Sequence, residues 1–498
     1  MRRLTRREAV AEGLLGLGAL SFAGCGGLSP TSTGSTLRST WRDPVGDGQL
    51  RVGPGEALTD RLELDGRRAT AGVLGTLAHV TDAHVLDAAS PARVTFLDRL
   101  GPPLQSTFRP QETLTAQVLA GITAAIRGLG PQLVMQGGDL IDNDQSNELE
   151  QALATLRGGR VKPGSGAHGY FGVQSGADPD PFYFRPDLDA PLYPGLLRAA
   201  SRQFVSPGIG SPWYPVLGDH DVLVAGEIVP TALTRSLAVG ARALWDLPSG
   251  LTLPGGLRTA AASSPDGPPN PGLVDQFLRR ALSGPTVDVP PDPARRQMSI
   301  DEVIARLRKA ASAGSLQSGL LDYAFELGPR LKLIVLDLVR RDGGSGGIVS
   351  PEQPSWLARQ LAAAGERWVI VVSHQPLVSS VGGDELLALL DTSPRVIAAL
   401  SGHTHRNRIV PRHTTAGGYW LIATASLIDF PQQARALRVV ATAGGGVALQ
   451  TWMLDHAAPG RLGPIARQLS FTDAQGGRPN GFAGSRLDRN VTLYRRGV

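Results

Sequence analysis

Between residues 72 and 405 the chain repeats one pattern: a short apolar run, long enough for a buried strand, that breaks off at an aspartate or a histidine. GVLGTLAHVTD (72–82) stops at Asp82, PQLVMQGGD (131–139) at Asp139, and PWYPVLGDHD (212–221) at Asp219-His220-Asp221. LKLIVLDLV (331–339), RWVIVVSHQP (367–376) and RVIAALSGHTH (395–405) come next, the last two ending on His374 and on His403 and His405. Helical spacing fills the gaps. In TLTAQVLAGITAAIRGLG (113–130) Leu114, Val118, Ile122 and Ile126 recur at steps of four, and SPEQPSWLARQLAAAG (350–365) opens on Ser350 and Pro351, a helix start. Strands alternating with helices predict a layered α/β fold with its polar site at the strand C-termini. GYWLIATASLI, ALRVVATAG and GVALQTWML are expected to close the sheets as antiparallel hairpins.

The 498 residues exceed what this framework needs. Residues 156–211 and 222–318 are rich in Gly, Pro and Asp, with short helical patterns such as 300–313, and are expected to be insertions rimming the site. The expected domain covers 71–455, with 456–498 as a C-terminal extension packing on it. Residues 26–70 (GGLSPTSTGSTLRST at their start) read as a flexible tether and domain lead-in. MRRLTRREAVAEGLLGLGALSFAGC (1–25) reads as an export signal, with a basic start and an apolar stretch too short to span a bilayer. Thr5-Arg6-Arg7 resembles a twin-arginine signal, and Ser21-Phe22-Ala23-Gly24-Cys25 a lipoprotein cleavage box. Cys25 is the chain's single cysteine, so the chain forms no internal disulfide, and lipidation is the expected use of that thiol. The expected location is export, either anchored on the outer face of the cell membrane or in the periplasmic or extracellular space. Net charge is +5, and Lys and Arg form no concentrated stripe, so no nucleic-acid partner is expected.

The strand ends carry the chemistry: Asp82-Ala83-His84, Gly138-Asp139-Leu140-Ile141-Asp142, Gly218-Asp219-His220-Asp221, Ser373-His374, and Gly402-His403-Thr404-His405. Carboxylates and neutral imidazoles suit Zn, Fe or Mn, and the lack of thiolates excludes a cysteine-type structural zinc site. Seven candidate ligands are too many for one tetrahedral ion. They suit two ions about 3.5–4 Å apart that share a carboxylate, an arrangement used for in-line phosphoryl displacement.

In this order the blocks resemble those of the metallophosphoesterases (the calcineurin-like phosphoesterase superfamily): D-x-H, G-D-x-x-D, G-N-H-D/E, a lone H, and G-H-x-H. The match spans roughly residues 75–430, and Asp219 departs from it, standing where the family usually has Asn. GGDLIDNDQSNELEQ, PWYPVLGDHDVLVAGE and ASLIDFPQQARALRV look like a long exported bacterial subgroup. The resemblance implies an α-β-β-α sandwich of two mixed sheets flanked by helices. It implies that Asp82, His84 and His405 hold one metal, that His374, His403 and Asp219 hold the other, and that Asp139 bridges them. His220 would touch the phosphoryl group as acid or electrostatic stabiliser, oriented by Asp221. The implied cofactor is two divalent or mixed-valence ions of Fe, Mn or Zn. The implied reaction is hydrolysis of a phosphomonoester or phosphodiester by in-line attack of a metal-bridging hydroxide. The substrate would be a phosphorylated small molecule or a phosphodiester. A rival reading, prompted by Asp219, is a degenerate lipoprotein that binds a phosphorylated ligand without turnover.

The remaining polar residues have blander readings. Asp142 and Asn143 are expected to orient loops, His79 to sit in the core or behind the site, and Asp337 to be structural. His168, His413 and His456 fall in loop-like contexts. Arg406 and Arg408 are expected either to steer an anion or to face solvent.

Overall fold

Two sheets, one of seven strands and one of six, carry the fold in a computed structural model. It describes residues 34–100, 107–177, 182–244, 246–252, 254–256, 266–312, 320–458, 460–478 and 480–498. The expected leader, Cys25 and the first residues of the tether lie outside the described residues. Along the chain the strands of the two sheets are β1 (Thr59–Arg61), β2 (Thr70–Val80), β3 (Leu133–Gln136), β4 (Trp213–Pro215), β5 (Tyr323–Leu327), β6 (Leu331–Leu336) and β7 (Trp368–Ser373). They continue as β8 (Val396–Ser401), β9 (Arg408–Arg412), β10 (Tyr419–Ala423), β11 (Gln433–Thr442), β12 (Val447–Asp455) and β13 (Val491–Arg495). The seven-stranded sheet has the order β1-β13-β12-β11-β2-β3-β4 and the six-stranded sheet β5-β6-β7-β8-β10-β9. Both are mixed. β2, β3 and β4 run parallel, as do β6, β7, β8 and β10, while β11–β12 and β9–β10 are antiparallel.

The period of two in a strand sends alternate side chains to opposite faces. Leu333, Val335, Ile370, Val372 and Leu400 of the six-stranded sheet join Leu77, Val134, Leu437 and Trp452 of the other sheet in one buried core. Ile334, Leu336, Val369 and Val371 point the opposite way. They meet Leu357 of the helix Gln353–Ala362 and Leu386 and Leu390 of the helix Gly383–Thr392. Helices cover the seven-stranded sheet as well: Val118, Ile122 and Ile126 of the helix Thr115–Leu129 belong to the main core. That helix stops at Gly130, whose left-handed φ of 62° lets its N–H close on the Ile126 carbonyl at 3.0 Å. The architecture is thus the expected α-β-β-α sandwich. Strands β6, β7 and β8 are buried throughout because both their faces are covered.

Three local expectations differ from the structure. GYWLIATASLI forms β10, which lies parallel to β8 and makes no antiparallel hairpin with β11, the next strand along the chain. Its partner in an antiparallel pair is β9, on the other side. The described part of 26–70 is built into the fold: Ser39–Arg42 pairs with Arg51–Pro54, and β1 joins the seven-stranded sheet. Lastly, the expected C-terminal extension does more than pack on the domain. Its strand β13 lies between β12 and β1 as an interior strand of the sheet. Among the described residues no helix is long and apolar enough to cross a membrane.

Candidate metal centre

The parallel strands of both sheets deliver the polar blocks to one place. β2 runs out into Asp82 and His84, β3 into Asp139, β4 into Asp219, β7 into His374, and β8 into His403 and His405. Asp82, His84, Asp139 and His405 each bring one ligand atom within 4.8 Å of the others, and so do Asp139, Asp219, His374 and His403. Asp139 belongs to both groups. Neighbouring donor atoms stand apart by 3.2 Å (His84 Nε2 to His405 Nε2), 3.3 Å (His405 Nε2 to Asp82 Oδ1) and 3.6 Å (His84 Nε2 to Asp139 Oδ2). On the other side the distances are 3.1 Å (His374 Nε2 to Asp139 Oδ2), 3.2 Å (His374 Nε2 to Asp219 Oδ1) and 3.4 Å (His403 Nδ1 to Asp219 Oδ1). A tetrahedron with ~2.0 Å metal–ligand bonds has edges of roughly 3.3 Å, so both donor sets have room for an ion.

The imidazoles are aimed from behind. His84 Nδ1 meets Asp142 Oδ1 at 3.0 Å, His405 Nδ1 meets Asp429 Oδ2 at 2.5 Å, and His374 Nδ1 meets the Gly137 carbonyl at 2.8 Å. Each acceptor holds a proton on Nδ1 and turns Nε2 toward the carboxylates, the usual way of orienting a ligating histidine. His374 Nε2 is buried and makes a well-aligned hydrogen bond to neither of the two carboxylates beside it. Such an atom is costly unless something fills the space before it.

The backbone is bent to make this possible. Eight described non-glycine residues have positive φ, and five are the candidate ligands Asp82 (53°), His84 (42°), Asp139 (49°), His403 (63°) and His405 (54°). Backbone of this kind costs of order 1–3 kcal/mol per residue and concentrates where function requires it. Two glycines are needed for the same reason. A Cβ on Gly138 would lie 2.4 Å from His374 Nδ1, and one on Gly218 would lie 2.1 Å from the Asp139 nitrogen.

The electrostatics ask for a cation. Burial works against a charge on Asp82 and Asp219, yet His405 beside the first and His403 beside the second hold both carboxyls below the usual range. Burial likewise opposes a charge on His374 and His405. Even so, Asp139 raises the proton affinity of His374 well above the ordinary value, and Asp82 with Asp429 pushes His405 up to about 9. The buried carboxylates therefore keep the extra proton on His374 and His405. A divalent ion would take the place of those protons and release them.

His220 stands at the edge of this centre, its ring 4.4 Å from that of His84. Its Nδ1 donates to the Asp142 carbonyl at 2.8 Å, and Asp142 Oδ1 is 3.5 Å away. Asp221 was expected to orient it and does not touch it. The Asp221 carboxylate instead accepts from the N–H groups of Leu140 (2.8 Å), Ile141 (3.2 Å) and Gly218 (2.9 Å). It ties the β3 and β4 turns together, and burial together with Asp139 pushes its carboxyl up to about 7. The orienting group is Asp142, which the sequence had suggested was only a loop former.

No family model matches this chain, and no curated protein matches it. Among solved structures, a dimetal phosphatase from Danio rerio is similar at 13% identity, with a TM-score of 0.38, over 77% of this chain and 99% of that one. PhoD is similar at 12% identity, with a TM-score of 0.32, over 82% and 70%. The purple acid phosphatase PPD1 of yellow lupin is similar at 11% identity, with a TM-score of 0.32, over 77% and 52%. At these levels the functional reading has to come from the side chains themselves.

Several residues around the centre escaped the sequence reading. Gln375 Nε2 donates to Asp219 Oδ1 at 2.9 Å, which fixes the aspartate that departs from the family pattern. The neighbour of His374 in sequence was the available clue. Asp429 joins His405 to Arg109, whose Nε is 2.7 Å from Asp429 Oδ1. Both partners are buried. Asp429→Ala should lower metal affinity by ~10–100-fold, the effect of losing a partner that orients a ligand. It should also destabilise the fold by up to about 3–5 kcal/mol, because a buried guanidinium loses its carboxylate. Chelator competition and urea unfolding measure the two, and unchanged metal affinity would remove Asp429 from the site.

The other sequence candidates fall into three settings. Two are core or structural. His79 is fully buried, with Nδ1 2.9 Å from Thr424 Oγ1, as a core histidine would be. Asp337 is structural, accepting from Leu321 and Val339 N–H and pairing with Arg341. His168 and His413 are exposed, whereas His456, expected in a loop-like setting, is buried with Nε2 3.3 Å from Gln432 Oε1. Arg406 and Arg408 are both exposed.

Proposed function

We propose that the protein is a two-metal phosphoesterase of the metallophosphoesterase superfamily that hydrolyses a phosphomonoester or phosphodiester. The observation that carries this reading is the pair of donor sets sharing Asp139, with His220 beside them. Asp82, His84 and His405 would hold one ion, Asp219, His374 and His403 the other, and Asp139 both. A pair of bound Fe, Mn or Zn ions supplies the Lewis acidity that activates water and offsets the charge on phosphoryl oxygens. The protein's own contribution is orientation and a proton. His220 is committed through Nδ1 to the Asp142 carbonyl, so its mobile proton is the one on Nε2. Without metals, burial lowers its proton affinity and Asp139, Asp142 and Asp219 more than offset that. With Asp139 and Asp219 holding ions, Asp142 is the carboxylate left to favour an imidazolium. An imidazolium so placed can pass its Nε2 proton to the departing ester oxygen.

The binding-only alternative rests on Asp219. Its Oδ1 lies within 3.4 Å of both His374 Nε2 and His403 Nδ1, so the replacement leaves the ligand position filled. Catalysis is therefore the reading favoured. We further propose that the protein is exported and held at a membrane through a lipidated Cys25. The test of the main reading is metal analysis of the purified protein paired with a panel of phosphomonoesters and phosphodiesters. About two ions per chain and turnover of at least one ester are expected. Two ions with no turnover on any ester would favour the binding protein, and no bound metal would defeat both.

A further inference from the structure

Exposure at the centre is confined to three imidazoles among the candidate site residues. The side chains of His403, His220 and His405 keep 21%, 20% and 11% of their surface, while Asp82, His84, Asp139, Asp219 and His374 keep 1% or less. A substrate enters past these three imidazoles. Beside them stands a side chain from the far end of the chain. The half-buried ring of Phe482 meets the His405 ring nearly perpendicular, at 74°, with centroids 5.9 Å apart. The guanidinium of exposed Arg406 lies 5.9 Å from the same ring.

The segment that carries Phe482 is fixed in place. The Asn407 N–H donates to the Phe482 carbonyl at 2.9 Å, and Asn407 Nδ2 donates to the Ala483 carbonyl at 3.4 Å. Asn407 Oδ1 in turn accepts from Arg435 Nη2 at 3.0 Å. Gly484 packs so closely that a Cβ there would be 2.3 Å from the Asn407 carbonyl oxygen. The chain thus holds one large apolar face against His405 at the exposed edge of the centre, with Arg406 beside it. His220 and His405 both flank His84, with ring centroids at 4.4 Å and 5.1 Å. A leaving group that extends from the centre past His405 would lie against the Phe482 ring.

We propose that Phe482 is a substrate-contact residue that selects phosphoesters whose alcohol carries a planar or bulky apolar group. This rests on the phosphoesterase reading and adds the class of ester. Apolar and aromatic walls beside a few placed polar groups are how small-molecule sites choose among ligands of like charge. Arg406, which donates to the Asn480 carbonyl at 3.4 Å, adds positive charge at the same edge.

The test uses the metal-loaded full chain with phenyl and methyl esters of the same phosphate. In Phe482→Ala, KM for the phenyl ester should rise about three- to tenfold, the range of a lost aromatic contact. Its kcat, its metal content and both constants for the methyl ester should stay as they were. Phe482→Trp should keep the low KM for the phenyl ester. If alanine prevents folding, Phe482→Leu keeps the apolar anchor and removes the flat face, and it should show the same split. Equal changes for the two esters would mean that Phe482 only anchors the tail, and no change for either would remove it from the site; both outcomes overturn the proposal. A wild-type chain that hydrolyses neither ester but turns over another phosphoester overturns the assigned ester class alone. One inactive on every phosphoester overturns the phosphoesterase reading along with it.

Discussion

Asp139→Asn is expected to lose both bound metal and turnover. Asp139 Oδ2 is the atom within 3.1 Å of His374 Nε2 and 3.6 Å of His84 Nε2, the position from which one carboxylate serves both donor sets. Asparagine keeps an oxygen to accept the His220 N–H, which Asp139 Oδ1 now does at 2.9 Å, but offers an NH2 where the shared ligand belongs. It also tolerates the positive φ of 49° at this position, so the backbone need not move. Metal affinity should fall by more than the ~10–100-fold typical of losing a partner behind a ligand, and activity should fall with it. The variant discriminates because it keeps the shape of the side chain. It removes one of the three carboxylates among the candidate ligands and the partner of His374, so thermal unfolding in chelator should fall far less than metal affinity does. The rise in Tm that added metal gives the wild type should shrink or vanish. A variant that keeps two ions and full turnover would show that Asp139 bridges nothing.

His220→Ala should separate chemistry from metal binding. The metals should remain, while kcat falls by ~10²–10⁴-fold, the range for a lost general acid. The loss should depend on the leaving group. An alkyl ester needs the proton and should show the full effect, whereas a nitrophenyl ester leaves readily as an anion and should show much less. Equal losses on both esters would argue for a positioning role. Loss of metal would make His220 a ligand, an outcome with some footing because His84, Asp142 and His220 themselves bring ligand atoms together.

What the sequence revealed and what it hid divide along contact range. The seven candidate ligands were legible because each comes directly after a strand whose apolar run is visible, and the strand's direction carries the residue to the site. The contacts of Asp142 with His84 and His220 are not legible, because they depend on where the turn after β3 points, which no local pattern encodes. Asp221 was misassigned for the converse reason: adjacency to His220 in sequence does not bring its carboxylate to that ring. Asp429 reaches His405 across 24 positions, and Phe482 comes from the tail, with nothing in either local sequence to mark the contact. The same holds for the fold. The parallel cores of both sheets could be read from their apolar runs, but the place of β13 between β12 and β1 joins residues at opposite ends of the chain.

The left-handed backbone at Asp82, His84, Asp139, His403 and His405 also bears on any attempt to rebuild this centre elsewhere. Side chains alone are not its transferable unit. Grafting the same aspartates and histidines onto extended or helical positions of another scaffold would point their donor atoms in other directions. The turns, with the glycines that let them close, would have to travel with the ligands. A designer starting from this protein should copy five strand-to-loop corners first and choose the metal afterwards.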